Sequence, residues 1–85
     1  MFGQQTSIAM DDTHRVDARG LRCPLPVLRL RREAEAVAPG GVVELLATDP
    51  AARTDVPAFC TQKGWALESM TDEPGGVTLY RVRLG

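Results

Sequence analysis

The 85-residue chain predicts an α/β (α+β) two-layer sandwich with element order βαβαββ. Three observations carry this. Strand-like and helix-like apolar periods alternate along the chain. Prolines mark two helix starts, at Pro24 and Pro50, and glycines mark the stops, at Gly40-Gly41 and Gly64. Finally, Glu73-Pro74-Gly75-Gly76 separates two strand-like segments short enough to close as an antiparallel hairpin.

The elements follow in order. His14-Arg15-Val16-Asp17-Ala18 alternates in polarity and suits a first strand. A first helix runs from Pro24 to about Ala38, with Val27, Leu30, Ala34, Val37 and Ala38 as its apolar stripe. Val42 to Ala47 is the most apolar strand and therefore central. The regular part of a second helix starts at Asp55 and ends near Lys63. Trp65 to about Thr71 and Val77 to Leu84 give the last two strands. Residues 1–12 read as a disordered tail and 13–85 as a single domain, large enough for a modest core.

The most informative segment is Asp17-Ala18-Arg19-Gly20-Leu21-Arg22-Cys23-Pro24-Leu25-Pro26, where strand hands over to helix. With Pro24 as first helical residue, Cys23 is expected at the N-cap, since the residue before a proline is held extended. Pro26 is tolerated because the carbonyl four residues back belongs to Arg22, outside the helix. A sulfur there meets the positive end of the helix dipole, the N–H groups of Leu25 and Val27, and the charges of Arg19 and Arg22. Such surroundings lower a thiol pKa to about 3.5–7.5 and hold a persulfide as an anion. The alternative is a small apolar residue filling a corner.

Other chemistries find little support. A net charge of −1 and a pI near 5.7 argue against a general nucleic-acid or anionic-membrane binder. Two cysteines do not make a disulfide scaffold. No apolar run approaches the roughly 20 residues of a membrane span. Met1–Asp12 has neither the basic start nor the apolar stretch of a signal peptide, so the cytoplasm is the expected compartment. Cys60 shares an apolar helical stripe with Val56 and Phe59 and reads as core, too far along its helix to pair with Cys23. His14, the single histidine, starts the first strand while Cys23 follows its other end, so it reads as a solvated residue out of hydrogen-bond reach of the sulfur. Neither a metal site nor a cofactor is expected. One activated sulfur with no base, no resolving thiol and no metal is the inventory of a carrier rather than a self-sufficient enzyme.

Arg15, Arg19, Arg22, Arg29, Arg31 and Arg32 cluster within eighteen positions, opposed in that stretch by Asp17. Two readings stand. The cluster is a docking face for acidic partner surfaces, with Arg29 and Arg32 on the helix, or a solvated face on which Arg31 and Arg32 pair with Glu35.

The stretch from Asp17 to Pro26, with its Cys-Pro-Leu-Pro core, resembles the signature of the TusA/SirA family of small sulfur carriers. Asp49-Pro50 followed by Asp55-Val56-Pro57-Ala58-Phe59-Cys60 is similar to the TusA branch in particular, and the likeness spans about residues 14–84. The resemblance implies a four-stranded mixed sheet of order 1-2-4-3 with two helices on one face, as in the C-terminal domain of a translation initiation factor. It implies that Cys23 accepts persulfide sulfur from a cysteine desulfurase or rhodanese-type donor and relays it to an acceptor protein. The destinations it implies are tRNA 2-thiouridine synthesis, molybdenum cofactor synthesis or sulfur oxidation. Arg19, Arg22, Gly20, Pro24 and Pro26 are the expected supporting residues, with Asp17 orienting a loop arginine. An RNA-binding module of the same fold is the alternative, disfavoured by overall acidity and the lack of an exposed aromatic pair. A thiol redox module is disfavoured by the missing Cys-x-x-Cys.

Overall fold

The computed structural model describes residues 13–85, so the expected tail 1–12 lies outside the described residues. Four strands, β1 (Thr13–Ala18), β2 (Val42–Ala47), β3 (Ala66–Glu73) and β4 (Val77–Arg83), and two helices, α1 (Leu25–Ala34) and α2 (Ala52–Lys63), follow the expected order. The sheet order is β1-β2-β4-β3, with β1 parallel to β2 and β4 antiparallel to both its neighbours. The apolar β2 is interior, as its composition demanded.

Register explains the core. Val16, Leu45 and Tyr80 stand side by side across β1, β2 and β4, and each is buried. The period-two alternation of strands carries Ala18, Val43, Ala47 and Val82 onto the same face. Leu30 and Ala34 from α1 and Ala52, Val56 and Cys60 from α2 close over that face, so both helices lie on one side. The other face carries Arg15, Glu44, Arg81, Glu68 and Arg83 as a cross-strand chain of ion pairs.

Two helix boundaries differ from expectation. The first helix ends at Ala34, not Ala38. The N–H groups of Glu35, Ala36 and Val37 turn back three residues, to Arg32, Glu33 and Ala34, and the tightened turn carries the chain off the helix axis. Pro39 holds Ala38 out of helical angles, so Ala38 is exposed rather than part of the stripe. Gly41 then passes so close to Val37 that a Cβ would lie 2.5 Å from its Cγ1.

The second helix begins at Ala52, three residues before Asp55. Asp49 C=O accepts from Ala52 N–H at 3.0 Å, which starts the winding early, and Pro57 is accommodated inside the helix. Gly64, at φ +76°, ends α2 as anticipated, and Trp65 N–H reaches back to Cys60 C=O at 2.8 Å. The third strand extends two residues beyond Thr71, to Glu73.

Candidate functional site

Parallel β1 and β2 are in register to their last residues, Ala18 opposite Ala47. The loops leaving them therefore emerge side by side at the carboxyl end of the sheet, where α/β proteins place their sites. The β1–α1 loop turns first at Gly20, whose φ of +81° only glycine adopts without strain. Leu21 N–H donates to Ala18 C=O at 3.2 Å to close the turn. Gly20 N–H donates to Thr48 Oγ1 at 2.9 Å, and Cys23 N–H donates to Asp49 Oδ2. Two hydrogen bonds thus staple the cysteine loop to the β2–α2 loop.

The helix starts one residue later than the proline rule predicts. Pro24, at φ −96° and ψ 12°, is the N-cap, and its carbonyl accepts the first helical bond from Leu28 N–H at 3.1 Å. Leu25 N–H is spent on Arg22 C=O at 2.7 Å. Cys23 therefore lies outside the helix end rather than capping it, and Leu25 N–H is not free for the sulfur. Pro26 is buried and plants the first turn of α1 on the core, while Pro24 and Cys23 stay exposed.

The electrostatics also reverse the expectation. Cys23 Sγ donates to Asp55 Oδ2 at 2.9 Å. This hydrogen bond, the desolvation it brings and the charges of Asp55 and Asp49 push the thiol pKa up, not down. The arginines do not compensate. Arg19 grips Asp17 with both arms, Nε to Oδ1 and Nη2 to Oδ2 at 2.8 Å each, and its backbone N–H adds a third bond at 3.1 Å. Those bonds hold the Asp17 carboxyl well below the usual carboxylate range. Arg22 is exposed and, among the described residues, makes no ion pair. Sequence proximity placed positive charge beside the sulfur; folding placed two carboxylates there.

Those carboxylates, Asp49 and Asp55, are the residues that sequence reasoning missed as site groups, although Asp55 stood out as a helix-start residue and Asp49 directly precedes the helix-marking Pro50. Pairing β1 with β2 in parallel, and noting that both strands end at the same level, is the signal that brings Asp49 to Cys23. Asp55 follows one turn into α2.

A shallow groove between the helices continues from the sulfur, lined by Cys23, Pro24, Val27, Asp55, Phe59 and Gln62. On the outer side of α1, Leu25 and Leu28 are 48% and 45% exposed and flank a second groove with Leu21, Arg29 and Arg32. Arg31 and Arg32 make no ion pair with Glu35. His14 keeps a side chain 37% exposed, as a solvated strand-start residue would, and in addition bonds Glu33 Oε1 at 2.9 Å, a partner α1 supplies where it crosses that end of β1. Cys60 is buried and unpaired. No helix of the described residues is long and apolar enough to cross a membrane, and among them no cluster of metal-ligating side chains occurs.

The fold and an exposed cysteine at the strand ends define a small α/β protein with a single surface thiol at the carboxyl end of its sheet. A SirA-like protein from Desulfitobacterium hafniense superposes with a TM-score of 0.74 at 24% identity, covering 84% of this chain and 96% of that one, which shows the shared fold. The sequence is more specific. Residues 14–83 match the family described as Sulfurtransferase TusA. The sulfur carrier protein TusA of Pseudomonas paraeruginosa is 43% identical over 68 residues, 80% of this chain and 85% of that protein. That of Pseudomonas entomophila is 43% identical over the same length, covering 84% of the relative. The chain belongs to the TusA family of sulfur carriers.

Proposed function

We propose that Cys23 carries sulfane sulfur as a persulfide, taken from a cysteine desulfurase or rhodanese-type donor and relayed to an acceptor protein in the cytoplasm. Synthesis of tRNA 2-thiouridine is the destination we favour among the sulfur-trafficking pathways that the family resemblance implies. The observation that carries this reading is one exposed thiol, inside the family-matching segment, at the shared exit of two parallel strands. Cys60 is enclosed by the core, so the chain offers no second thiol at the surface to resolve a persulfide into a disulfide.

The supporting residues act mainly through shape. Gly20 supplies the left-handed turn, Pro24 and Pro26 fix the entry into α1, and the Asp17–Arg19 clasp braces the strand end that leads into the turn. Arg22, Arg29, Arg31 and Arg32 make no ion pair among the described residues and are cations left for a partner, with Arg29 and Arg32 beside the exposed Leu25 and Leu28. An apolar patch with a basic rim suits an acidic protein surface with apolar anchors.

Incubation with a cysteine desulfurase and cysteine is expected to add one sulfur atom, about 32 Da by the mass of sulfur, removable by reductant and mapped to Cys23. Cys23→Ser abolishes the addition with the fold retained, and reversing Arg29 and Arg32 to Glu slows loading by the enzyme. Persistent loading of Cys23→Ser, or loading mainly on Cys60, refutes the assignment.

A further inference from the structure

An exposed thiol bonded to a carboxylate is a poor nucleophile at rest, because its proton is held and its anion is repelled. A carrier must nevertheless attack a donor's persulfide and later leave as a thiolate. The two facts are reconciled if the carboxylate that holds the proton also takes it. We propose that Asp55 is a catalytic residue of sulfur transfer, the group that accepts the Cys23 proton during loading and returns it during unloading. The inference rests on the persulfide reading above.

Geometry supplies the case. Asp55 Oδ2 is 2.9 Å from Sγ, within the reach required for direct proton transfer. Asp55 lies in the first turn of α2, where the helix dipole favours a carboxylate. Asp49 is occupied by the N–H groups of Cys23 and Ala51, so it holds the loop and leaves the thiol proton to Asp55. The other charge beside the sulfur is Arg22, its chain neighbour, which is exposed. The groove lined by Cys23, Pro24, Asp55 and Phe59 leaves both Sγ and the carboxylate open to an incoming persulfide.

The step balances. Cys23 Sγ bonds to the outer sulfur of a donor persulfide, R–S–S–H, while the S–S bond of the donor breaks and R–S⁻ departs. The Cys23 proton passes to the Asp55 carboxylate, leaving Cys23–S–S–H and neutral Asp55. The donor sulfur is reduced to a thiolate as the Cys23 sulfur is oxidised to the persulfide level, so no outside oxidant is needed. In unloading, an acceptor thiolate takes the outer sulfur, and Asp55–H protonates the departing Cys23 sulfur. The reverse path uses the same group at the same atom.

The test compares two reactions of one sulfur in the wild type, Asp55→Asn and Asp55→Glu. Single-turnover loading from glutathione persulfide involves transfer of the thiol proton, whereas alkylation by iodoacetamide at neutral pH reports the thiolate fraction alone. In Asp55→Asn loading is expected to slow by about tenfold or more, at the lower edge of general acid–base effects, while alkylation becomes faster. Asp55→Glu should recover part of the loading rate and alkylate slowly like the wild type. Movement of both rates in the same direction in Asp55→Asn overturns the proton role and makes Asp55 an electrostatic brake or a structural prop. Wild-type protein that alkylates at Cys23 but takes no sulfur from the persulfide overturns the carrier reading itself, and this proposal with it.

Discussion

The backbone N–H of Cys23 is bonded to the side chain of Asp49, twenty-six residues further along the chain. Asp49 Oδ1 simultaneously accepts from Ala51 N–H at 3.3 Å, so one carboxylate ties the cysteine loop to the start of α2. The position of the sulfur is thereby fixed by β2 as much as by its own loop.

Replacing Asp49 by Ala leaves both N–H groups without that partner. Stability should fall by about 1 kcal/mol, or roughly 4–8 °C in Tm for a domain of this size. Thermal unfolding followed by circular dichroism checks the magnitude. Amide exchange at Cys23 and Ala51 should accelerate together; acceleration confined to Ala51 would show that the cysteine loop is held by something else.

The two cysteines should separate cleanly in native labelling. Cys23 is exposed with its pKa raised by the hydrogen bond to Asp55, local desolvation and the charges of Asp55 and Asp49, so its alkylation is slow at pH 7 and climbs as pH rises through the ordinary thiol range and beyond. Cys60 is 2% exposed, and burial pushes its thiol up as well, so it should react only as the protein unfolds. Peptide mapping after timed quenching decides. Fast labelling of Cys23 below pH 7 would contradict the Asp55 contact.

Glu44 gives an acid-stability signature. It accepts from Arg15 and Arg81 at 2.8 Å each, and its side chain is only 14% exposed. Hydrogen bonding to Arg15, then to Arg81, and the charges of both lower its pKa. A carboxylate depressed in the native state contributes stability that is present above its unfolded pKa, about 4.3, and is lost as pH falls through the lower native value. Glu44→Gln should therefore cost about 1 kcal/mol at pH 7. The difference from wild type should start to shrink below about pH 4 and close only once pH has fallen beneath the lowered native value. Urea unfolding at the two pH values measures this, and a difference that persists undiminished in acid would assign the effect to packing.

How far the sequence reaches depends on the range of the cause. Strand and helix order, the glycine stop after Lys63, the burial of Cys60 and the interior position of β2 follow from local pattern: apolar period, a missing N–H at proline, a positive φ at glycine. The segment from Asp17 to Pro26 likewise singles out Cys23, because its spacing is contiguous. The surroundings of that sulfur are decided by tertiary structure. Arg19 and Arg22 are near in sequence, yet one is clasped by Asp17 and the other is turned to solvent. Asp49 and Asp55 are remote in sequence, yet parallel, in-register β1 and β2 bring the following loops together and set a carboxylate on the thiol. Sequence determines which atom is chemically special, because that is a matter of residue type and local backbone. Its charge state depends on which groups lie within a few ångströms, and only the pairing of the strands decides that.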